Sequence, residues 1–272
     1  MVSAERPVII AQISDLHCGS RYHIPSLATR VIDELNELEP DVVIVTGDLT
    51  DMGFRQEFVA AHRLLSGLKC ERRMVLLGNH DARNVGDEHF TELFGSRNVE
   101  LEYNGIHVLG VDSSEPDLDS GRVGRARADW IEEKFGEAED GFKIVAMHHH
   151  LVPVPGTGRE RNIVYDAGDL LRSLANCGTD LVLCGHKHVP NVWRLEDMLI
   201  VNAGTACSHR LRGRVRPCYN IIEIRDRSHV RINLKEPYVD AQVVADYRDI
   251  NQPSCSWRSD DGPERYVEEV GA

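Results

Sequence analysis

Gly78, Asn79, His80 and Asp81 follow the apolar run Met74-Val75-Leu76-Leu77, so an amide, an imidazole and a carboxylate stand together where a buried strand should end. Four other apolar runs close the same way. Ile9 to Ser14 leads into Asp15 and His17, Val42 to Thr46 into Asp48, Ile144 to Met147 into His148, and Leu181 to Cys184 into His186 and His188. A lone histidine at a strand end is usually structural, and the chain has 13 histidines. Five strand ends all tipped with metal-ligand types imply one site.

Such a site suits phosphate chemistry. Residues two apart in an extended segment point to the same side, so Asp15 and His17 can hold one ion together. His186 and His188 share that spacing, and with Gly185 before them they can serve one ion or two neighbouring ones. Imidazole, carboxylate and amide oxygen without thiolate select Mn²⁺, Fe, Zn²⁺ or Co²⁺. Asp15, His17, Asp48, Asn79, His148, His186 and His188 are too many ligands for one ion; with Asp48 bridging, each of two ions has four and keeps room for water and substrate. Two ions about 3.5–4 Å apart share a hydroxide and polarise phosphoryl oxygens, the arrangement for in-line hydrolysis of a phosphate ester. His80, beside a ligand but not needed as one, stands where it can protonate the leaving alkoxide. Asp81 either orients His80 or braces its loop.

The elements that must carry these residues are legible around them. Val8 to Ile13 reads as a buried strand, and Pro25 and Ser26 open a helix with the stripe Leu27, Val31, Leu35 and Leu38, which Pro40 stops. Asp41 to Thr46 is a second strand and Gln56 to Leu65 a second helix. Strand, helix, strand, helix predicts a parallel sheet covered by helices. A short helix near Glu88 to Phe94 precedes Val99 to Asp112, where Asn104-Gly105 between apolar runs signals a type I′ hairpin. Arg125 to Glu137 and Asp166 to Asn176 read as helices, Phe142 to Met147 and Asp180 to Cys184 as buried strands. From Asn191 the pattern turns antiparallel: Val192 to Leu195, Met198 to Asn202, Tyr219 to Arg225 and His229 to Leu234. The expected division is one domain over 1–236 and an arm or partly disordered tail over 237–272, where Pro253, Pro263 and many acidic residues show no sustained period.

Composition narrows the partners. With 272 residues, 42% hydrophobic and 28% charged, the chain suits a soluble globular protein with a sizeable core. A net charge of −13 and a pI near 5.4 repel polyanions at long range, which disfavours a nucleic-acid duplex and leaves small anions held by cations. The first residues lack the organisation of a signal peptide, and no run approaches the roughly 18 apolar residues of a membrane span, so a cytoplasmic protein without a membrane partner is expected. Seven scattered cysteines point to free thiols in a reducing compartment. The 237–272 segment could embrace a partner subunit, which leaves a homodimer or higher homo-oligomer open.

Asp15-Leu16-His17, Gly47-Asp48-Leu49-Thr50-Asp51, Gly78-Asn79-His80-Asp81, His148 and Gly185-His186-Lys187-His188 resemble, in order and spacing, the five motifs of the calcineurin-like metallophosphoesterases. The resemblance implies a four-layer αββα sandwich, two mixed β-sheets flanked by helices, with a dimetal site at the strand ends. It implies Asp15, His17, Asp48 and His188 on one metal, Asp48, Asn79, His148 and His186 on the other, and His80 as the catalytic acid. Asp51 stands where purple acid phosphatases carry a tyrosine ligand, Asp81 and His188 depart from the serine/threonine protein phosphatases, and the acidic chain offers little for the DNA-binding cap of the repair nucleases. What remains resembles the class III cyclic nucleotide phosphodiesterases and the bacterial glycerophosphodiesterases, through Thr46 to Gly53 and the helix Glu57 to Leu65. Those relatives often carry His-His-Pro-Pro where this chain has His148, His149, His150 and Leu151; His148 is then the ligand, and His149 and His150 are pocket lining or a structural pair. Arg210, Arg212, Arg214 and Arg216 form a basic cluster that can hold a substrate phosphate, and His23 can reach substrate as well. The expectation is a dimetal phosphodiesterase for a small phosphodiester such as a cyclic nucleotide. A phosphomonoesterase on a nucleotide or sugar phosphate and a scaffold that has lost hydrolysis are the alternatives.

Overall fold

Runs of Val, Ile and Leu without polar alternation bury both faces of a strand, and the fold supplies a cover for each. The computed structural model describes residues 6–138, 141–158, 162–212 and 215–248. Its strands are β1 (Val8–Ile13), β2 (Val42–Val45), β3 (Arg73–Val75), β4 (Val99–Tyr103), β5 (Ile106–Val111), β6 (Phe142–Met147), β7 (Leu181–Cys184), β8 (Asn191–Leu195), β9 (Met198–Asn202), β10 (Tyr219–Asp226), β11 (His229–Lys235) and β12 (Gln242–Arg248). The helices are α1 (Pro25–Leu38), α2 (Arg55–Leu65), α3 (Gly86–Phe94), α4 (Arg125–Glu137) and α5 (Ala167–Asn176). They build two six-stranded mixed sheets, ordered β12-β11-β10-β1-β2-β3 and β4-β5-β6-β7-β9-β8.

Alternation along each central strand sorts its side chains between two cores. Ile10, Val42 and Ile44 meet Ile144, Leu181 and Leu183 between the sheets. Ala11, Ile13, Val43 and Val45 turn the other way, onto Leu35 of α1, Phe58 of α2 and Phe90 of α3. On the second sheet Val145 and Val182 pack under Ile131 and Phe135 of α4 and Leu170 of α5. Helix, sheet, sheet and helix make the four-layer αββα sandwich.

Parallel pairing of β1 with β2 and of β2 with β3, and of β5, β6, β7 and β9 in the second sheet, brings the strand ends to a common edge. Local signals set the rest. Pro25 opens α1, whose Ala28, Val31, Ile32 and Leu35 are buried, and Glu39 ends it in a left-handed conformation with its N–H on the Leu35 carbonyl. Asn104 and Gly105 both take positive φ, as a type I′ turn requires, and join β4 to β5 with Tyr103 opposite Ile106.

The segment expected to form an arm contributes an edge strand: β12 pairs with β11 and tucks Ala245 and Tyr247 into the core. Its remainder, from residue 249, lies outside the described residues. The six cysteines among the described residues are free. No helix among these residues is long and apolar enough to cross a membrane.

Candidate metal centre

Each strand that carries a candidate ligand releases its chain into a sharp loop, and the loops are knitted together. The amides of Asp15, His17 and Cys18 donate to the carbonyls of Gly47, Asp48 and Leu49, and the Gly185 amide to the His148 carbonyl. Across the sheets, the His186 amide donates to Asp15 Oδ2 at 3.1 Å. Asp15, His17, Asp48, His186 and His188 all take positive φ, a conformation costly for non-glycine residues and concentrated here. Two glycines permit the close approach: a Cβ on Gly78 would sit 2.2 Å from Asp48 Oδ1, and one on Gly185 would sit 2.1 Å from Ser14 Oγ.

The loops bring seven expected ligands into two adjoining groups. Asp15, His17, Asp48 and His188 place ligand atoms within 4.8 Å of one another, with His17 Nε2 3.0 Å from His188 Nε2 and His188 Nε2 3.1 Å from Asp15 Oδ1. Asp48, His148 and His186 form the second group, joined by the Asn79 amide oxygen at 2.9 Å from His186 Nδ1 and 3.1 Å from His148 Nε2. Asp48 belongs to both: Oδ2 lies 3.8 Å from His17 and Oδ1 3.4 Å from His148.

The donor set fits divalent cations. His148 Nδ1 faces the Thr46 carbonyl at 2.7 Å and His188 Nδ1 faces the Arg210 carbonyl; carbonyls only accept, so both rings carry a proton there and turn Nε2 inward as the ligating nitrogen. Asp15 Oδ1 is buried without a hydrogen-bond partner. Lone pairs converging in a buried space are what a cation relieves. Burial raises the Asp48 carboxyl, yet the surrounding His148, His80 and His17 hold it well below the usual carboxylate range. Burial takes His17 down to about 3 and His186 well below the ordinary imidazole value. It also opposes protonation of His148, but the Asp48 carboxylate outweighs it and carries that ring up to about 9. Anionic carboxylate and neutral imidazole are the ligating forms, and the His148 proton held against Asp48 is the one a cation displaces.

His80 lies beside the first group. Its ring meets His17 edge-on at 4.7 Å, its amide donates to Asp48 Oδ1 at 2.9 Å, and its Nδ1 faces the Asp51 carbonyl at 2.6 Å. With His17 and Asp51 it forms a third grouping beside the first. Asp81 makes none of its hydrogen bonds to His80. It accepts from the amides of Leu49, Thr50 and Gly78 and from the Thr50 hydroxyl, so of the two roles expected for it the brace matches the contacts.

Several expected substrate contacts sit elsewhere. His149 and His150 are fully buried behind His186, the first bonded to Ser113 Oγ at 2.9 Å and the second stacked on the His186 ring at 5.5 Å. Both rings pack against the His186 ring. His23 also turns inward, onto the Leu16 carbonyl at 2.8 Å. The basic cluster divides: Arg210 reaches His80 Nε2 at 2.9 Å, Arg212 is exposed, Arg216 pairs with Glu236 at 3.6 Å, and Arg214 lies outside the described residues.

One functional partner had no signal in the sequence. Asp119, in the loop after β5, accepts from Asn79 Nδ2 at 3.3 Å and from Arg83 Nη2 at 2.6 Å. A carboxylate can only accept there, so Asp119 fixes the Asn79 amide with its oxygen toward the histidines. Asp119→Ala is expected to weaken cation binding at the Asn79 side by about 10- to 100-fold, measured by metal titration calorimetry. Unchanged affinity would show that Asn79 needs no such hold.

The sequence model of the calcineurin-like phosphoesterases matches residues 9–190. The chain belongs to the calcineurin-like phosphoesterase family. That makes it a metal-dependent phosphoric ester hydrolase, in a family that uses binuclear metal centres. It is 28% identical over 199 residues to the glycerophosphodiester phosphodiesterase GpdQ of Enterobacter lignolyticus, covering 66% of this chain and 71% of that one. It is 24% identical over 201 residues to the 3′,5′-cyclic adenosine monophosphate phosphodiesterase CpdA of Escherichia coli K12, covering 69% and 72%. Among solved structures, a dimetal phosphatase from Danio rerio superposes with a TM-score of 0.66 at 11% identity, covering 87% of this chain and 98% of that one, a likeness of fold.

Proposed function

We propose that this phosphoesterase is a dimetal phosphodiesterase acting on a small phosphodiester, with cyclic nucleotides the foremost substrate class. The observation that carries the reading is Asp48, whose two oxygens face different clusters, Oδ2 toward His17 and Oδ1 toward His148. Asp15, His17, Asp48 and His188 would hold one ion, and Asp48, Asn79, His148 and His186 the other. Nitrogen and oxygen donors without thiolate suit Mn²⁺, Fe, Zn²⁺ or Co²⁺. Such a pair, when bound, supplies a hydroxide nucleophile at neutral pH and draws charge from the phosphoryl oxygens.

The chain's own groups do the remaining work. The Asp51 carbonyl ties His80 by Nδ1, which leaves Nε2 as the nitrogen that passes a proton to the departing alkoxide. Asp81 positions the loops that carry Asp48 and His80. The names of the relatives, a glycerophosphodiesterase and a cyclic nucleotide phosphodiesterase, support a diester substrate. A cytoplasmic place of action belongs to the same reading and rests on the free thiols.

Metal-loaded protein is expected to hydrolyse bis(p-nitrophenyl) phosphate in preference to p-nitrophenyl phosphate. Activity on the monoester alone would replace this reading with a phosphomonoesterase, whose dianionic substrate Arg210 would suit. His80→Ala is expected to lower turnover by about 10²- to 10⁴-fold with metal content unchanged. Loss of metal from that variant would make His80 a ligand instead of the proton donor.

A further inference from the structure

Resting on the reading of His80 as proton donor, we propose that Arg210 is a substrate-displaced cap: its guanidinium covers His80 Nε2 in the free protein and leaves it for the phosphoryl oxygens of the substrate. His80 has two ring nitrogens and both are occupied. Nδ1 lies 2.6 Å from the Asp51 carbonyl, a pure acceptor, so Nδ1 carries a hydrogen. The Arg83 guanidinium also comes within 3.1 Å of Nδ1, but it is anchored on Asp119 at 2.6 Å, and the shorter carbonyl contact decides the tautomer. Nε2 lies 2.9 Å from Arg210 Nη1. A guanidinium only donates, so this contact occupies the Nε2 lone pair, which must be free before that nitrogen can take up a proton from water and hand it to the leaving oxygen.

The cap is held loosely at one end and firmly at the other. Its carboxylate partner, Asp51, stands 3.7 Å away, and the Arg210 side chain is 43% exposed. The backbone is pinned: the Arg210 amide donates to Ser208 Oγ at 3.0 Å, and the Arg210 carbonyl accepts from His188 Nδ1. The guanidinium therefore swings about a fixed main chain without disturbing His188. An anionic phosphoryl oxygen is a stronger acceptor than a neutral imidazole, and two of them match the planar fork of an arginine. A phosphate ester binding beside His80 takes Arg210 from it, so phosphate binding frees Nε2 to take a proton from water and pass it to the leaving alkoxide. Arg83, by contrast, is already neutralised by Asp119 and stays in place.

Two measurements test the cap. In steady-state kinetics of metal-loaded protein on bis(p-nitrophenyl) phosphate, Arg210→Gln is expected to raise KM by about 10- to 100-fold, the loss of a charge-assisted hydrogen bond, while metal content holds. Arg210→Lys, which keeps the charge and loses the fork, is expected to fall between the two. A KM for Arg210→Gln within twofold of the parent overturns the proposal. The second readout needs no turnover. In Zn²⁺-loaded protein labelled with ¹⁵N-histidine, the His80 Nε2 resonance, assigned by its loss in H80N, is expected to shift when inorganic phosphate is added. In Arg210→Gln it is expected to start shifted and to stay there. No shift in the parent, or an equal shift in both proteins, overturns the cap. A protein that hydrolyses no ester sinks the phosphodiesterase reading and leaves the phosphate shift readable; diester hydrolysis with an unmoved KM sinks the cap alone.

Discussion

Asp48→Asn is expected to lower turnover on a phosphodiester by about three orders of magnitude and to reduce bound metal from two ions to one or none. The substitution keeps the shape of the side chain and removes its charge. Asp48 faces His17 through one oxygen and His148 through the other, so an amide puts an NH₂ group toward one cluster whichever way it turns. It also loses the anion that carries the His148 ring up to about 9. A metal pair contributes several kcal/mol to phosphoryl transfer, and each 1.36 kcal/mol is about tenfold in rate, which gives the expected size. Elemental analysis beside kcat on bis(p-nitrophenyl) phosphate checks it, with circular dichroism to confirm the fold. An asparagine variant that keeps two ions and turns over within tenfold of the parent would refute the bridging role.

How much of this was legible beforehand depended on whether a feature is local. Strand ends were legible because Val42–Val45 and Leu181–Cys184 are buried on both faces, so an uninterrupted apolar run stops where the sheet stops and the next polar residue marks the edge. Asn104-Gly105 was legible because only a few residue types accept two consecutive positive φ values. Strand β12 was not: it is an edge strand that buries Ala245 and Tyr247 while Val243 is 55% exposed, too little contrast for a period to emerge. Asp119 was invisible because its role rests on Asn79, 40 residues away, and no property of its own segment records that contact. For His149 and His150 the sequence left pocket lining and a structural pair open, because the path of the chain after His148 is not a local property; both rings pack on the His186 ring.

Asp81→Ala is expected to cost more stability than any other single change in the loops of the centre. The Asp81 carboxylate is fully buried and accepts from Leu49 N at 3.0 Å, Thr50 N at 2.8 Å, Thr50 Oγ1 at 2.7 Å and Gly78 N at 2.9 Å. The first three donors lie just after Asp48 and the fourth just before Asn79, so one side chain ties together the loops that leave β2 and β3. Alanine leaves three buried amides without an acceptor, at about 1–3 kcal/mol each, while the Thr50 hydroxyl can rotate to a new partner. The sum, on the order of 5 kcal/mol, is a large share of the roughly 5–15 kcal/mol that holds a domain folded. At about 2–4 °C per kcal/mol the midpoint of thermal unfolding falls by about 10–20 °C. Asp81→Asn, whose amide oxygen can serve part of the set while its NH₂ opposes another donor, should fall between alanine and the parent. Added divalent cation should restore part of the loss, because ligand binding to the folded state shifts the unfolding equilibrium. Thermal melts of the three proteins with and without metal decide the matter. If the alanine variant melts within about 3 °C of the parent and loses only turnover, Asp81 acts through His80 and the brace is wrong.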